Sequence, residues 1–216
     1  MKEAMINRNS MQHKSIHDYE EGSAFRRPPL RVAVLRLLAC VARTVNLVAQ
    51  RRICQPIEHV GQEMTFADGT TGVVYRETVV KGPPPVDPVV LVVTFRLRGI
   101  HGRAHALFRA ESLFNTPLFV GFPGFVSKLW LTADEENRYR GFYQWDGERS
   151  AREYACTLWW ILALVCHLDS IRYQVLPGAF RDNVLADTLS AGKAMPEGVM
   201  SPTDAAWWRL VQERKP

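Results

Sequence analysis

The chain has no Cys-x-x-Cys pair and no histidines at zinc-finger spacing, which argues against a structural zinc module. It offers no glycine-rich loop to cradle a phosphate, and no Ser-His-Asp or Cys-His arrangement. Clustered positive charge is missing too. The net charge is +5, but the basic residues are scattered, and Arg51-Arg52 is too short a run to argue for nucleic acid. No nucleic-acid partner is therefore expected. The first thirty residues are polar and mixed in charge, unlike a secretory signal. The four cysteines (Cys40, Cys54, Cys156 and Cys166) have no framework spacing, and three lie in or beside apolar runs. A reducing compartment, and hence the cytoplasm, is the expected location.

A long uninterrupted apolar run is also absent. Residues 30–52, LRVAVLRLLACVARTVNLVAQRR, have the length of a membrane span, but Arg31, Arg36 and Arg43 break the run. An arginine at a bilayer centre costs about 2.5–3.5 kcal/mol even on the gentler insertion scale. Arg36, Arg43 and Gln50 share one helical face, with Leu35, Leu38, Val41, Val45 and Val48 largely elsewhere. The segment reads as an amphipathic helix, packed on protein or lying on a membrane surface as a peripheral contact.

What is present fits an ordinary soluble domain. With 47% hydrophobic and 23% charged residues, 216 residues hold one core with decorated ends. Residues 1–29 lack periodicity and read as a disordered leader. Residues 30–82 form an extension: the helix, then a β-hairpin turning at Asp68-Gly69-Thr70-Thr71-Gly72. KGPPPVDP is a stiff linker, because three prolines exclude helix and regular strand. From Pro88 the pattern is regular. VVLVVTFRLRG is a strand and GRAHALFRAESLF is compatible with a helix. FVSKLWLTA and RYRGFYQWD are two strands of a hairpin. Asp146 is placed to cap the helix that follows, ERSAREYACTLWWILALVCH, with Glu148 in its first turn. SIRYQVLPG is a last strand. The order is β-α-β-β-α-β, so residues 88–178 are expected to form a ferredoxin-like α+β domain with both helices on one sheet face. Residues 179–216 form a tail with a short helix at SPTDAAWWRLVQER, where Ser201 caps and Pro202 takes the first turn.

The segment PGF (Pro123 to Phe125), with Lys128, Trp130, Gly141, Tyr143, Glu148, Ser150, Ala151 and Tyr154 at matching spacing, resembles the YdhR-like monooxygenases. These belong to the antibiotic-biosynthesis monooxygenase type of dimeric α+β barrel. The resemblance covers about residues 88–178 and implies a homodimer whose two sheets face each other. It implies binding of a small aromatic or hydrophobic molecule, and cofactor-independent oxygenation of it.

Period-two alternation divides the strand faces. Leu91, Val93, Phe95 and Leu97 form one face of the first strand, and Val90, Val92, Thr94, Arg96 and Arg98 the other. In the second strand Phe125, Leu129 and Leu131 oppose Val126, Lys128, Trp130 and Thr132. The apolar sets are expected on the helices and the mixed sets on the other layer. If Trp130 pairs with Gly141, Lys128 lies near Tyr143, and Tyr139 and Trp145 share that face. The candidate catalytic residues are Lys128, Tyr143 and Arg96; Trp130, Trp145 and Thr94 are candidates for substrate binding. Aromatic walls with cations suit a substrate ionised at a phenol or enol. Lys128 would hold that anion, or would lower the pKa of Tyr143. No cofactor is expected, and no metal. His101 and His105 stand four apart but find no third ligand, and His167 suits a helix C-terminus. The competing expectation is a non-catalytic binding or interaction protein, associated with membrane surfaces through residues 30–52.

Overall fold

The computed structural model describes residues 28–98, 116–192 and 207–214. Its centre is the β-branched run Pro88–Arg96 (β4), buried on both faces through most of its length. It pairs antiparallel with Arg138–Asp146 (β6) on one side and Arg172–Pro177 (β7) on the other. Strand β6 folds back on Phe125–Leu131 (β5) as a hairpin. Its turn is held by Asp134, whose carboxylate accepts from the backbone N–H of Glu136 and Arg138 at 2.9 and 2.8 Å. Trp130 pairs with Gly141 and Lys128 with Tyr143, which settles a register that the sequence left open.

The sheet does not stop at β5. Thr71–Val80 (β3) pairs along it, followed by Glu63–Phe66 (β2) and Leu210–Arg214 (β8). The strand path is β7-β4-β6-β5-β3-β2-β8, with the short Ile53–Cys54 (β1) also on β3. Register shifts between Val74 and Arg76, Phe125 and Ser127, and Thr65 and Phe66 add twist. The sheet curls. Phe66 of β2 and Phe142 of β6 lie three strands apart, which is about 14 Å in a flat sheet. Their rings stack at 5.9 Å.

The concave face packs Met64, Phe66, Val90, Val92, Leu129, Leu131 and Phe142 under Trp207, Leu210 and Leu185. Leu185 belongs to the third helix, Arg181–Gly192 (α3). Buried ion pairs hold the curl: Arg140 bonds Asp68 at 2.6 Å and Asp134 at 3.1 Å, and Arg181 bonds Glu77 at 2.9 Å. The convex face carries Leu30–Ala49 (α1) and Glu148–Val165 (α2).

This corrects the expected ferredoxin-like βαββαβ domain and dimeric α+β barrel. The fold is a curled, mostly antiparallel half-barrel. The physical reason is the free edge of β5. The hairpin expected as a separate extension supplies β3 to that edge, and β2 and β8 continue the sheet. The face that seemed to need a second copy is closed by the same chain, so the argument for a homodimer from an uncovered sheet falls away. Two smaller expectations change. RLVQER, read as helix, contributes β8, while α3 arises in a stretch read as irregular. Asp146 does not cap α2; its carboxylate accepts from the N–H of Val86 and Asp87 and anchors the proline linker. The expected first helix, with His101 and His105, and the Ser201-Pro202 cap lie outside the described residues.

Candidate functional site

Between the convex face and α2 lies a cleft of about 550 Å³ of empty space up to its mouth. Its roof follows from helical spacing: Tyr154, Leu158, Ile161, Leu162 and Val165 recur on one side of α2. Phe95 of β4, Leu97 just beyond its end, and Leu118 and Phe119, at and just after the 3-10 turn Thr116–Leu118, form further walls. Lys128, Trp130 and Tyr143 complete the lining from the β5–β6 hairpin. The lining has the apolar character of a small-molecule site.

Lys128 is the anomaly in this lining. It is 5% exposed. Its Nζ stands 3.1 Å from the Trp130 ring centre, 4.5 Å from that of Tyr143 and 4.8 Å from that of Phe119. No carboxylate among the described residues pairs with it. Burial holds its pKa well below the usual lysine range, and the nearby Arg76 guanidinium pushes in the same direction. The three ring faces favour the ammonium by about 0.5–2 kcal/mol each, which opposes this but does not replace a lost hydration shell. Burial therefore makes the neutral amine easier to reach than it is for an exposed lysine. A neutral amine there is a potential proton acceptor in an aromatic-walled space.

Gly141 makes room for this arrangement. A Cβ there would stand 2.9 Å from the Tyr143 ring and 3.0 Å from Lys128 Cε. The indole N–H of Trp130 donates to Thr78 Oγ1 at 3.3 Å, which fixes the plane over which Lys128 sits. Arg76, opposite Trp130 in the register, stacks its guanidinium 4.1 Å from the same ring centre. The Tyr154 hydroxyl donates to that of Tyr143 at 3.2 Å. Burial pushes both phenols up, so the expectation that Lys128 would lower the Tyr143 pKa is corrected. Lys128 Nζ faces the Tyr143 ring and not its hydroxyl, which is bonded to Tyr154. Burial also pushes the thiols of Cys40 up to about 11 and Cys166 up to about 12, which leaves neither a ready nucleophile.

The six sequence-predicted residues divide. Lys128, Tyr143 and Trp130 meet in the cleft. Trp145 shares their sheet face but lies fully buried beneath, packed on Phe125 at 5.5 Å and Tyr154 at 4.9 Å, so its role is core packing. Thr94 and Arg96 are on the opposite face, where they line a separate hollow. The register explains the separation. Tyr143 pairs with Leu91, so the odd-numbered residues of β4 share its face and the even ones cannot. For β5 the expected faces are reversed: Lys128 and Trp130 are on the helix side, Leu129 and Leu131 on the concave side. The irregularity at Val126 puts Phe125 with Trp130. The α2 stripe and Phe119 were missed as cleft residues. The stripe was visible as helical periodicity, but periodicity does not separate core from cavity wall.

The chain matches no model of a known protein family, no curated protein and no solved structure.

Proposed function

We propose that the protein binds a small hydrophobic or aromatic molecule in the cleft under α2, and that Lys128 accepts an acidic proton from it. One observation carries this reading: a buried lysine with no carboxylate partner among the described residues lines a largely apolar, aromatic-walled cleft. A neutral amine there has a proton affinity that an arriving phenol, enol or carboxylic acid can satisfy. Proton transfer yields an ammonium–anion pair, and each charge then offsets the burial cost of the other. A hydrocarbon of the same shape gains only the burial of its surface. The cleft therefore selects weakly acidic, largely apolar molecules.

The test is titration calorimetry with 1-naphthol, a short alkylphenol, a medium-chain fatty acid and naphthalene. The reading expects saturable binding of at least one acid, weakened by about 1–3 kcal/mol in Lys128→Met, with naphthalene unaffected by that change. Equal affinity of wild type and variant for every acid contradicts it. An oxygen electrode, run with the tightest ligand, reads the oxygenase step that the family resemblance implies. Ligand-dependent oxygen uptake assigns an oxygenase; binding without uptake assigns a binding protein.

A second reading, contact with a membrane surface, has its own observation. Helix α1 packs inward through Ala33, Cys40, Thr44 and Leu47 and leaves Leu30, Val34, Leu38, Val45 and Val48 exposed at 44–64%. The helix contains no acidic residue. An apolar strip flanked by arginines suits an anionic lipid surface. The same inward packing opposes a transmembrane role, even though α1 is long and apolar enough to span. Gly121 lies so close to α1 that a Cβ would fall 1.9 Å from the Cys40 carbonyl oxygen.

A further inference from the structure

We infer that the concave face carries a second site, an anion site for a phosphate-sized group, centred on Arg96. Alternation places Thr94 and Arg96 of β4, Arg138 and Arg140 of β6 and Arg172 of β7 on one side of the sheet. The register brings them together. Thr94 pairs with Arg140 on one side and Arg172 on the other, while Arg96 pairs with Arg138. These residues line a hollow of about 520 Å³ up to its mouth, closed by Asp169, Ser170 and Trp207.

Among the described residues four guanidiniums thus face one lining carboxylate, and two of them stand directly opposite each other on neighbouring strands. Like charges in that position destabilise a sheet. Carboxylates from outside the lining answer part of the excess. Arg140 is held by Asp68 and Asp134, and Arg138 by Glu136 at 2.5 Å. Arg96 pairs with no carboxylate among the described residues, and its Nε is buried without a hydrogen-bond partner. Arg140, only 4% exposed, also has an unpartnered Nε. An anion in the hollow supplies the missing acceptor. Guanidinium groups in a fixed row match a tetrahedral oxyanion better than a point charge does. Trp207 adds an aromatic wall against which the organic part of a phosphate ester can lie. The site lies across the sheet from Lys128 and does not depend on the cleft.

Titration calorimetry of the full chain with inorganic phosphate and with phenyl phosphate tests this, in buffers matched in ionic strength with chloride. Saturable binding of either at millimolar affinity or better is expected, with a thermal stabilisation that chloride does not reproduce. Tighter binding of phenyl phosphate supports the site with an ester as occupant; equal affinity supports it with the free anion. Arg96→Met weakens binding about tenfold to a hundredfold, as the loss of a charged hydrogen bond does. If that variant does not fold, Arg138→Gln gives the same readout. Arg149→Ala, which removes a charge 91% exposed on α2, leaves the affinity unchanged. The inference is overturned if wild type binds neither probe, or if Arg149→Ala weakens binding as much as Arg96→Met.

Discussion

Replacing Lys128 with methionine keeps the bulk of the side chain and removes the amine. In the unliganded protein that amine is 5% exposed and surrounded by three rings. Burying a polar group without a matching partner costs about 1–3 kcal/mol in proteins. The thioether recovers part of the ring contact, about 0.3–1.5 kcal/mol. Lys128→Met should therefore stabilise the fold by about 1–3 kcal/mol at neutral pH, about 2–4 °C per kcal/mol for a chain of this size. The pH dependence follows from the direction of the shift. The folded lysine has a pKa well below its ordinary value of 10.5. Between those two values the unfolded chain binds more protons, so wild-type stability rises with pH across that interval. Below the folded value the full cost of burying the ammonium is present; above 10.5 the proton contributes nothing. The variant's advantage should be largest at low pH and shrink toward pH 10.5. Urea melts of both proteins across this range measure it. A variant less stable than wild type, with an unchanging difference at every pH, would refute the reasoning and make Lys128 a structural anchor.

Gly121→Ala should destabilise by at least about 1–3 kcal/mol and loosen α1, because the new methyl meets the helix backbone and not a yielding side-chain tip. Denaturant melts and hydrogen exchange along α1 check this. Asp134→Ala should cost about 3–5 kcal/mol, since it strips a partner from the buried Arg140 and removes the acceptor that shapes the β5–β6 turn. Chemical denaturation reads that loss. Leu38→Glu places a charge on the exposed strip of α1; it should leave the melting temperature within a few degrees and abolish sedimentation with anionic liposomes. Sedimentation equal to wild type would remove the membrane reading.

The β5–β6 hairpin was legible because its information is local. Alternating residues flank a turn rich in Asp, Glu and Asn, although a slip of one residue was equally compatible with the pattern, and only strand pairing sets Trp130 opposite Gly141. The linkage of β3 to β5 was not legible. An open sheet edge does not encode its partner in its own residues, and a proline linker between the two segments suggested separation. The site was half legible for a related reason. Arg96 and Thr94 were grouped with Lys128 because mixed-polarity faces were assumed to coincide, whereas strand pairing puts Leu91, not Val90, opposite Tyr143. Polarity alone cannot distinguish the two faces when one side of the sheet buries an amine among rings and the other buries guanidiniums among carboxylates. Trp145 looked like a binding residue for the same reason that most aromatic residues do, and it belongs to the core.

The chain contains six lysines, so carbon-13 and nitrogen-15 labelling of lysine gives a sparse spectrum. Following the side-chain Cε and Nζ signals with pH, before and after saturating 1-naphthol, addresses the cleft directly. Lys128→Met identifies which signal belongs to that residue. The account predicts that the Lys128 signal titrates well below the others in the free protein, and that naphthol converts it to the ammonium form at a pH where it was neutral. A Lys128 signal that titrates with the exposed lysines, and does not move when naphthol is added, would contradict it.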